Sequence, residues 1–411
     1  MLTISLMRWI DQSIGTAVCH LLAAEKVVAK PFTRKVDTVR KIAVMKFFGI
    51  GSIVVAPPSL LALREAFPGA KIYFVTFKGN KEILDILGLV DRTILIDNSS
   101  LQAFTQSTLA AAHELWREGV DLAIDFEFFA KFPVALASIA QVPKKAGFYL
   151  SLEPWRQALL DVHGSYNHYF HTKDIFLSLI YLLATGDKYY LDFDKWRERY
   201  KYPTHRPAPA ELARVREVLG QHGYRDRQRL VLLNPNVGAE LAPNTRRWPE
   251  GRYAELARKI CDEYPDAFVG LMGARSEEPY AHSIAAAAGN PRVVNLAGTV
   301  NLRELLALLS LADLFITNDS GPMHLACLLD IPIIGLFFAD TPTLFAPIAK
   351  HAVSIAPSLY AMPLYTVYTG KNSSKLENIP AQLVTVERVL GHARETLSRK
   401  DQPRAEAKGQ N

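Results

Sequence analysis

From residue 41 onward the chain repeats one pattern: a short, nearly continuous apolar run, a polar turn, a helical stretch, then another apolar run. The runs at 41–48 (KIAVMKFF), 71–77 (KIYFVTF), 92–97 (RTILID) and 122–128 (LAIDFEF) read as strands, with helices at 57–67, 82–87 and 101–117. Residues 151–209 break the rhythm. They are rich in Tyr, Trp, His and Arg, hold a helix near 174–183 and end in a linker, THRPAP, at 204–209. The alternation then resumes, with strands at 230–235, 267–272, 293–297, 313–317 and 331–338 and helices at 210–222, 253–264, 280–288, 302–309, 323–329 and 383–397. Strands that are apolar along their whole length must be covered on both faces, as in a parallel sheet flanked by helices. The pattern predicts an α/β protein of two similar units. Ligands of such sheets sit outside the carboxyl ends of the strands, so those ends, and a cleft expected between the units, are where chemistry is sought.

Composition agrees. A chain of 411 residues, 49% hydrophobic and 21% charged, is globular and large enough for two domains. The boundaries read as 1–40, an N-terminal amphipathic helix; 41–205, a first α/β domain; 206–382, a second; and 383–411, a helix followed by a charged tail expected to be disordered. Three scattered cysteines, Cys19, Cys261 and Cys327, exclude a disulfide scaffold and a clustered zinc site, and suit a reducing compartment. Lys plus Arg is 47 against 41 acids, a net charge of +6. That suits an anionic partner such as a phosphorylated lipid, a nucleotide or a membrane surface, and is too diffuse for nucleic acid. No run reaches the ~18 apolar residues of a membrane span. Near the N-terminus Met7, Ile10, Ile14, Val18, Leu21 and Val28 recur at helical steps, predicting a helix that lies either on a membrane or on the protein's own surface.

Three motifs carry chemistry. The sharpest is Thr317-Asn318-Asp319-Ser320-Gly321-Pro322-Met323-His324. A buried strand ends at Thr317 and a helix opens near Pro322, with Asp319 and Ser320 placed to cap it. Free N–H groups at such a helix start bind anions, Gly321 lets a phosphate approach the backbone, and His324 lies in the first turn. The plain structural reading is a well-capped helix with a buried histidine. The second motif is Asn234-Pro235-Asn236-Val237-Gly238, followed by Arg246-Arg247-Trp248-Pro249. Either arginine could hold phosphate bidentately, or the pair could be solvated on a surface loop. The third, Lys46-Phe47-Phe48-Gly49-Ile50-Gly51-Ser52-Ile53, is a Gly-rich turn lacking the third glycine of a dinucleotide fingerprint.

Together these residues resemble glycosyltransferase family 9, the heptosyltransferase-like enzymes of lipopolysaccharide assembly, over roughly residues 41–346. The resemblance implies a GT-B fold of two facing Rossmann-like domains with parallel sheets, acceptor on the N-terminal one and nucleotide-sugar on the C-terminal one. The run Asp319, Ser320, Gly321 to His324 looks like the family's Asp-x-Gly-x-x-His donor signature. Arg246, two before Trp248, looks like its basic diphosphate contact, usually Lys, and Asn236 lies in the same donor-side loop. Residues 273–278 resemble the loop that meets the nucleoside, with Glu277 or Glu278 as the acidic ribose contact. One departure stands out. The family's N-terminal turn usually reads Gly-Asp, with that Asp as general base, and here the pair is Gly51-Ser52. Asp125 and Glu127 end the fourth strand on one face, and Glu127 is the substitute base expected, or else the two form a structural pair bonded to backbone N–H groups.

The implied function is transfer of a heptose-like sugar from a nucleotide-diphosphate sugar to a lipopolysaccharide or other membrane-linked, anionic glycolipid acceptor, inverting, independent of metal and without a cofactor. The implied location is cytoplasmic, peripheral on the inner face of the cell membrane. The alternative is a nucleotide-sugar-binding relative with weak or no catalysis because Ser52 stands where the base belongs. His163, His168 and His171 suit aromatic packing better than metal ligation. Lys144, Lys145 and the run at 195–201 (KWRERYK) meet acceptor phosphates or are solvated faces.

Overall fold

The structure, a computed structural model, describes residues 4–149, 154–237, 246–357 and 379–398. Gly238 of the second motif and the tail expected beyond residue 398 lie outside the described residues. Among the described residues twelve strands form two six-stranded sheets, one in each of two units, Met1–Pro203 and Thr204–Asn411. The first sheet contains β1 (Lys41–Met45), β2 (Lys71–Phe77), β3 (Arg92–Ile96), β4 (Leu122–Asp125), β5 (Lys144–Tyr149) and β6 (Val162–Ser165), in the order β3-β2-β1-β4-β5-β6. The second contains β7 (Arg229–Asn234), β8 (Ala267–Leu271), β9 (Val293–Asn295), β10 (Leu314–Asn318), β11 (Ile333–Leu336) and β12 (Ala352–Ile355), in the order β12-β11-β10-β7-β8-β9. Among the described residues the strand pairings are parallel, Ile42 facing both Ile72 and Leu122, Ile316 facing both Leu233 and Ile334. Counted within its own unit, each sheet runs 3-2-1-4-5-6, the doubly wound Rossmann order.

The physical cause is the one the apolar runs announce. Strands β4, β8, β10 and β11 are buried at every position, so helices must cover both faces. In the second unit Trp248, Tyr253, Leu256, Ile260, Ile284, Val389 and Leu390 close one side of the sheet over Val231, Val269 and Ile316. The α/β fold expected from the sequence is the one found.

The differences are local. The strands expected at 41–48 and 122–128 stop at Met45 and Asp125, because the chain leaves the sheet there to build the turns described below. Three strands are additional. Two of them, β5 (KKAGFY) and β6 (VHGS), carry lysines, glycine and histidine that hide the apolar signal, and β12 is a half-exposed edge. The N-terminal helix spans Ile4–Ala29. Its inward face uses Cys19, with Val18, Leu22 and Ala23, against Val134, Trp155, Leu159 and Leu160. Asp11 accepts hydrogen bonds from the Lys131 and Phe132 N–H groups, and Lys26 pairs with Asp161 at 2.7 Å. The six apolar residues expected to share one face therefore divide: Val18 and Met7 turn toward the protein, whereas Ile14, Leu21 and Val28 are exposed.

Candidate functional site

A doubly wound sheet opens a crevice where its strand order reverses, at the carboxyl ends of strands one and four. In the second unit these are β7 and β10, ending at Asn234 and Asn318. Two asparagines tie the ends together. Asn234 Nδ2 donates to Thr317 Oγ1 at 3.1 Å and to Ser320 Oγ at 3.0 Å. Asn318 Nδ2 donates to the Pro235 carbonyl at 2.8 Å, and Asn318 Oδ1 accepts the Trp248 N–H at 3.1 Å. Trp248, fully buried, donates Nε1–H to the Val384 carbonyl at 2.9 Å. The turn carrying Arg246 is thus anchored to the strand carrying Asp319, although 73 positions separate the two residues.

Arg246 is buried. Its Nη2 donates to the Asp319 carbonyl at 3.1 Å and to Asp319 Oδ2, and Asp340 Oδ2 lies 3.8 Å from it. Burial pushes the Asp319 carboxyl up, opposed by the guanidinium beside it. Asp340 is pushed up to about 7 by burial, with Arg246 opposing and Asp319 adding to the rise. His324 Nε2 is 4.0 Å from Asp319 Oδ1, and burial, helped by Arg246, lowers the imidazole to about 4. At neutral pH His324 is therefore uncharged and serves as a hydrogen-bonding group. The helix that follows, Gly321–Cys327, has seven residues, so its dipole contributes little. Neither expected cap forms: no side-chain cap bond is made, because the Ser320 hydroxyl is bonded to Asn234 and the Asp319 carboxylate to Arg246.

At the neighbouring end of β8 the chain passes Asn236. Asn236 is buried, its Nδ2 donates to the Met272 carbonyl at 2.8 Å, and its Oδ1 has no hydrogen-bond partner among the described residues. Gly273 fits against it because it has no Cβ; a Cβ there would lie 2.6 Å from Asn236 Nδ2. Glu277 accepts the Ala274 N–H at 2.8 Å, which fixes the loop, while Glu278 beside it is exposed. Arg247 does not join Arg246; it stacks on the Tyr280 ring at 4.7 Å.

The first unit has the same crossing point between β1 and β4. Lys46 and Glu127, both fully withdrawn from solvent, pair at 2.7 Å across it. Glu127 Oε1 also accepts the Phe47 and Phe48 N–H groups at 2.8 and 2.9 Å, and Asp125 Oδ1 accepts the Glu127 N–H at 2.8 Å. Glu127 thereby shapes the turn into the helix Ile50–Val54, which Gly49 enters at φ 80°, a conformation that suits glycine. The Ser52 hydroxyl donates to the Phe48 and Gly49 carbonyls at 2.6 and 2.7 Å. Of the catalytic candidates, then, Asp125 and Glu127 share one network, and Ser52 is bound within the turn that Glu127 holds.

Asn234 and Asn318 lie inside two of the motifs but carry no role there, and Asp340 lies outside all three, although it has a signal: an acid directly after an apolar run, FFAD. Lys46 was readable only as part of its turn. His163 Nε2 donates to the Gln157 carbonyl, 3.2 Å away, and among the described residues no group of three or more His, Cys, Asp and Glu is arranged to hold a metal ion. Lys145 is buried, donates to the Val142 carbonyl at 2.8 Å, and has its ammonium pKa lowered by that burial; Lys144 is exposed.

Residues 197–367 match the family model of glycosyltransferase family 9 (heptosyltransferase). The lipopolysaccharide heptosyltransferase 2 of Salmonella typhimurium is 34% identical over 118 residues, 28% of this chain and 33% of that protein. The chain spans about a third of the length of the curated relatives it matches first. Among solved structures, the ADP-heptose lps heptosyltransferase II of E. coli aligns with a TM-score of 0.68 at 20% identity, covering 88% of this chain and 99% of that one. A glycosyl transferase family 9 structure from Veillonella parvula aligns with a TM-score of 0.70 at 19% identity, covering 89% and 99%. At those identities the structures speak for the fold, which is the GT-B fold expected. The stretch that resembles glycosyltransferase family 9 (heptosyltransferase), residues 197–367, contains Arg246, Asp319 and His324.

Proposed function

We propose that this chain transfers a heptose-like sugar from a nucleotide-diphosphate sugar to a lipopolysaccharide or other membrane-linked, anionic glycan, with inversion and without a metal ion. The observation that carries the reading is the buried Arg246–Asp319–Asp340 cluster at the crossing point of the second sheet, inside the stretch that matches the family. Burying such charges costs several kcal/mol per ion, and a purely structural core is served as well by apolar residues. A guanidinium held rigidly at a ligand crevice, beside the Ser320 and Gly321 backbone, is instead a preorganised acceptor for diphosphate charge. As the sugar leaves, negative charge grows on the diphosphate, and Arg246 with those N–H groups stabilises it. Asp319 fixes the guanidinium, His324 adds a neutral hydrogen-bonding group, and Asn236 Oδ1 and Glu278 face the nucleoside end. The E. coli structure that shares the fold is of the ADP-heptose lps heptosyltransferase II, which makes ADP the first nucleotide to try. The reaction takes place at the cytoplasmic face of the cell membrane.

In this reading Glu127 takes the proton of the attacking hydroxyl, Asp125 orients Glu127, and the Lys46 pair opens when the acceptor binds. A second reading, nucleotide-sugar binding with little or no transfer, is favoured by a specific observation: Ser52 spends its hydroxyl on two carbonyls, and Glu127 Oε1 already holds three donors. One assay separates the two, release of ADP from ADP-heptose in the presence of a heptose-accepting glycolipid. Transfer predicts turnover that falls about 100-fold or more in Glu127→Gln with unchanged ADP affinity. No turnover in the parent, appearing on Ser52→Asp, establishes the binding reading.

A further inference from the structure

We propose that the outward face of the helix Ile4–Ala29 docks on an anionic lipid bilayer surface. The proposal rests on the preceding reading for its acceptor and deepens it by naming the docking residues.

At about 100° per residue, Leu6, Trp9, Ile14, Leu21, Val27 and Val28 fall within an arc of about 140°, and Ala17 and Ala24 lie between them. All are exposed, Trp9 at 60%, Leu21 at 72% and Val28 at 75%. This face cannot be turned inward, since the opposite one is committed: Cys19 is fully buried, Asp11 binds the Lys131 and Phe132 N–H groups, and Lys26 binds Asp161 and the Leu159 carbonyl at 2.9 Å. The helix, 26 residues and so ~39 Å long, thus presents its polar anchors to the protein and a mainly apolar stripe, broken by exposed Ser13 and His20, to the outside.

Charge selects the occupant. The exposed arc from Leu6 to Ala24 carries no acid, and Glu25 borders it. Just past the helix stand exposed Lys30 and Lys35, with Arg34 between them paired to Asp121 at 2.8 Å. Asp161, the residue that Lys26 holds, also lines a cavity of about 500 Å³ with Lys144, His163 and Lys188. An apolar stripe with cations at its end matches an interface of acyl chains under anionic headgroups, with Trp9 at the depth where indole is favoured. A second copy of the chain would instead bring its own cations toward these.

The same contacts connect the helix to the first unit's crossing point, because Asp11 binds the N–H groups that open the helix Phe132–Ile139, which starts five residues beyond Glu127. The helix is therefore fixed to the segment that follows the candidate base.

The test is co-sedimentation of the full chain with phosphatidylcholine vesicles, with and without phosphatidylglycerol, comparing the parent with Trp9→Glu/Leu21→Glu. Both substitutions sit on the exposed face, away from the inward contacts. We expect the parent to bind the anionic vesicles, the variant to bind them at least tenfold more weakly, and melting temperature and ADP affinity to be unchanged. A parent that stays in the supernatant with both vesicles overturns the proposal, as does a variant that binds like the parent. So does a parent dimer in sedimentation equilibrium that the variant dissociates, which would give the face to a second copy. ADP affinity is read separately, so a failed donor site and a failed lipid surface give different results.

Discussion

Arg246→Ala strikes the centre of the proposed donor site. It removes a guanidinium that stands against two carboxylates, Asp319 in direct contact and Asp340 at 3.8 Å, all three buried. Breaking a buried pair from one side costs about 3–5 kcal/mol. For a unit of this size about 2–4 °C of Tm is lost per kcal/mol, so the melting temperature should fall by about 6–20 °C. The loss should depend on pH with a definite sign. Asp340 is already pushed up to about 7, and Arg246 is the group that restrains it. A carboxyl whose folded pKa exceeds its unfolded value makes the protein less stable as pH rises between the two, and without Arg246 that fall extends further above neutrality. The variant's deficit should therefore grow as pH rises above about 7 when followed by scanning calorimetry. In titration calorimetry ADP should bind about 10- to 150-fold more weakly, the equivalent of about 1.5–3 kcal/mol of charge-assisted hydrogen bonding. A Tm within about 2 °C of the parent at each pH, less than the cost of even one buried unpaired carboxylate, would refute the energetic reasoning. Unchanged ADP affinity would refute the placement of the diphosphate.

Other outcomes follow from the same geometry. In the parent, Asp340 contributes stability that is full below its unfolded pKa and is lost as pH rises toward about 7, so Asp340→Asn should flatten the neutral side of a Tm-against-pH curve. His324, lowered to about 4, acts in the opposite sense: its contribution is full above the unfolded value and is lost as pH falls toward 4, so His324→Gln should flatten the acid side. Gly273→Ala puts a methyl 2.6 Å from Asn236 Nδ2 and should cost about 1–3 kcal/mol of stability by denaturant titration, with Asn236→Ala in the same chain recovering part of it. If the double variant is less stable than Gly273→Ala alone, the two residues do not press on one another.

The fold was legible in the sequence wherever one physical signal dominated. Strands such as LVLLN in β7 and LFITN in β10 are buried on both faces and have no polar position to confuse the reading. It was not legible where polar residues occupy a strand for other reasons: Lys145 in β5 reaches back to the Val142 carbonyl, and His163 in β6 sits on an exposed edge. The donor site was partly legible, since Asp319, Ser320 and His324 lie together in eight residues. What the sequence does not reveal is that Ser320 and Asp319 turn away from capping, because their partners, Asn234 and Arg246, come from strands and turns more than 70 residues away. Asp340 joins through β11, and no local pattern connects it to Arg246. The helix Ile4–Ala29 was legible as a helix, but its orientation was not. Spacing groups Val18 with Leu21, whereas Asp11 and Lys26, by choosing their partners, decide which side faces in.

The central claim is that a nucleoside diphosphate rests against Arg246 and the Ser320–Gly321 backbone. A crystal soaked with ADP, at a concentration that saturates binding in calorimetry, tests it most directly. The account predicts phosphate oxygens about 3 Å from the Arg246 guanidinium and from those backbone nitrogens, with the ribose toward Asn236 and Glu278. ADP bound elsewhere on the chain, with Arg246 still paired as here and no phosphate beside it, would contradict the account.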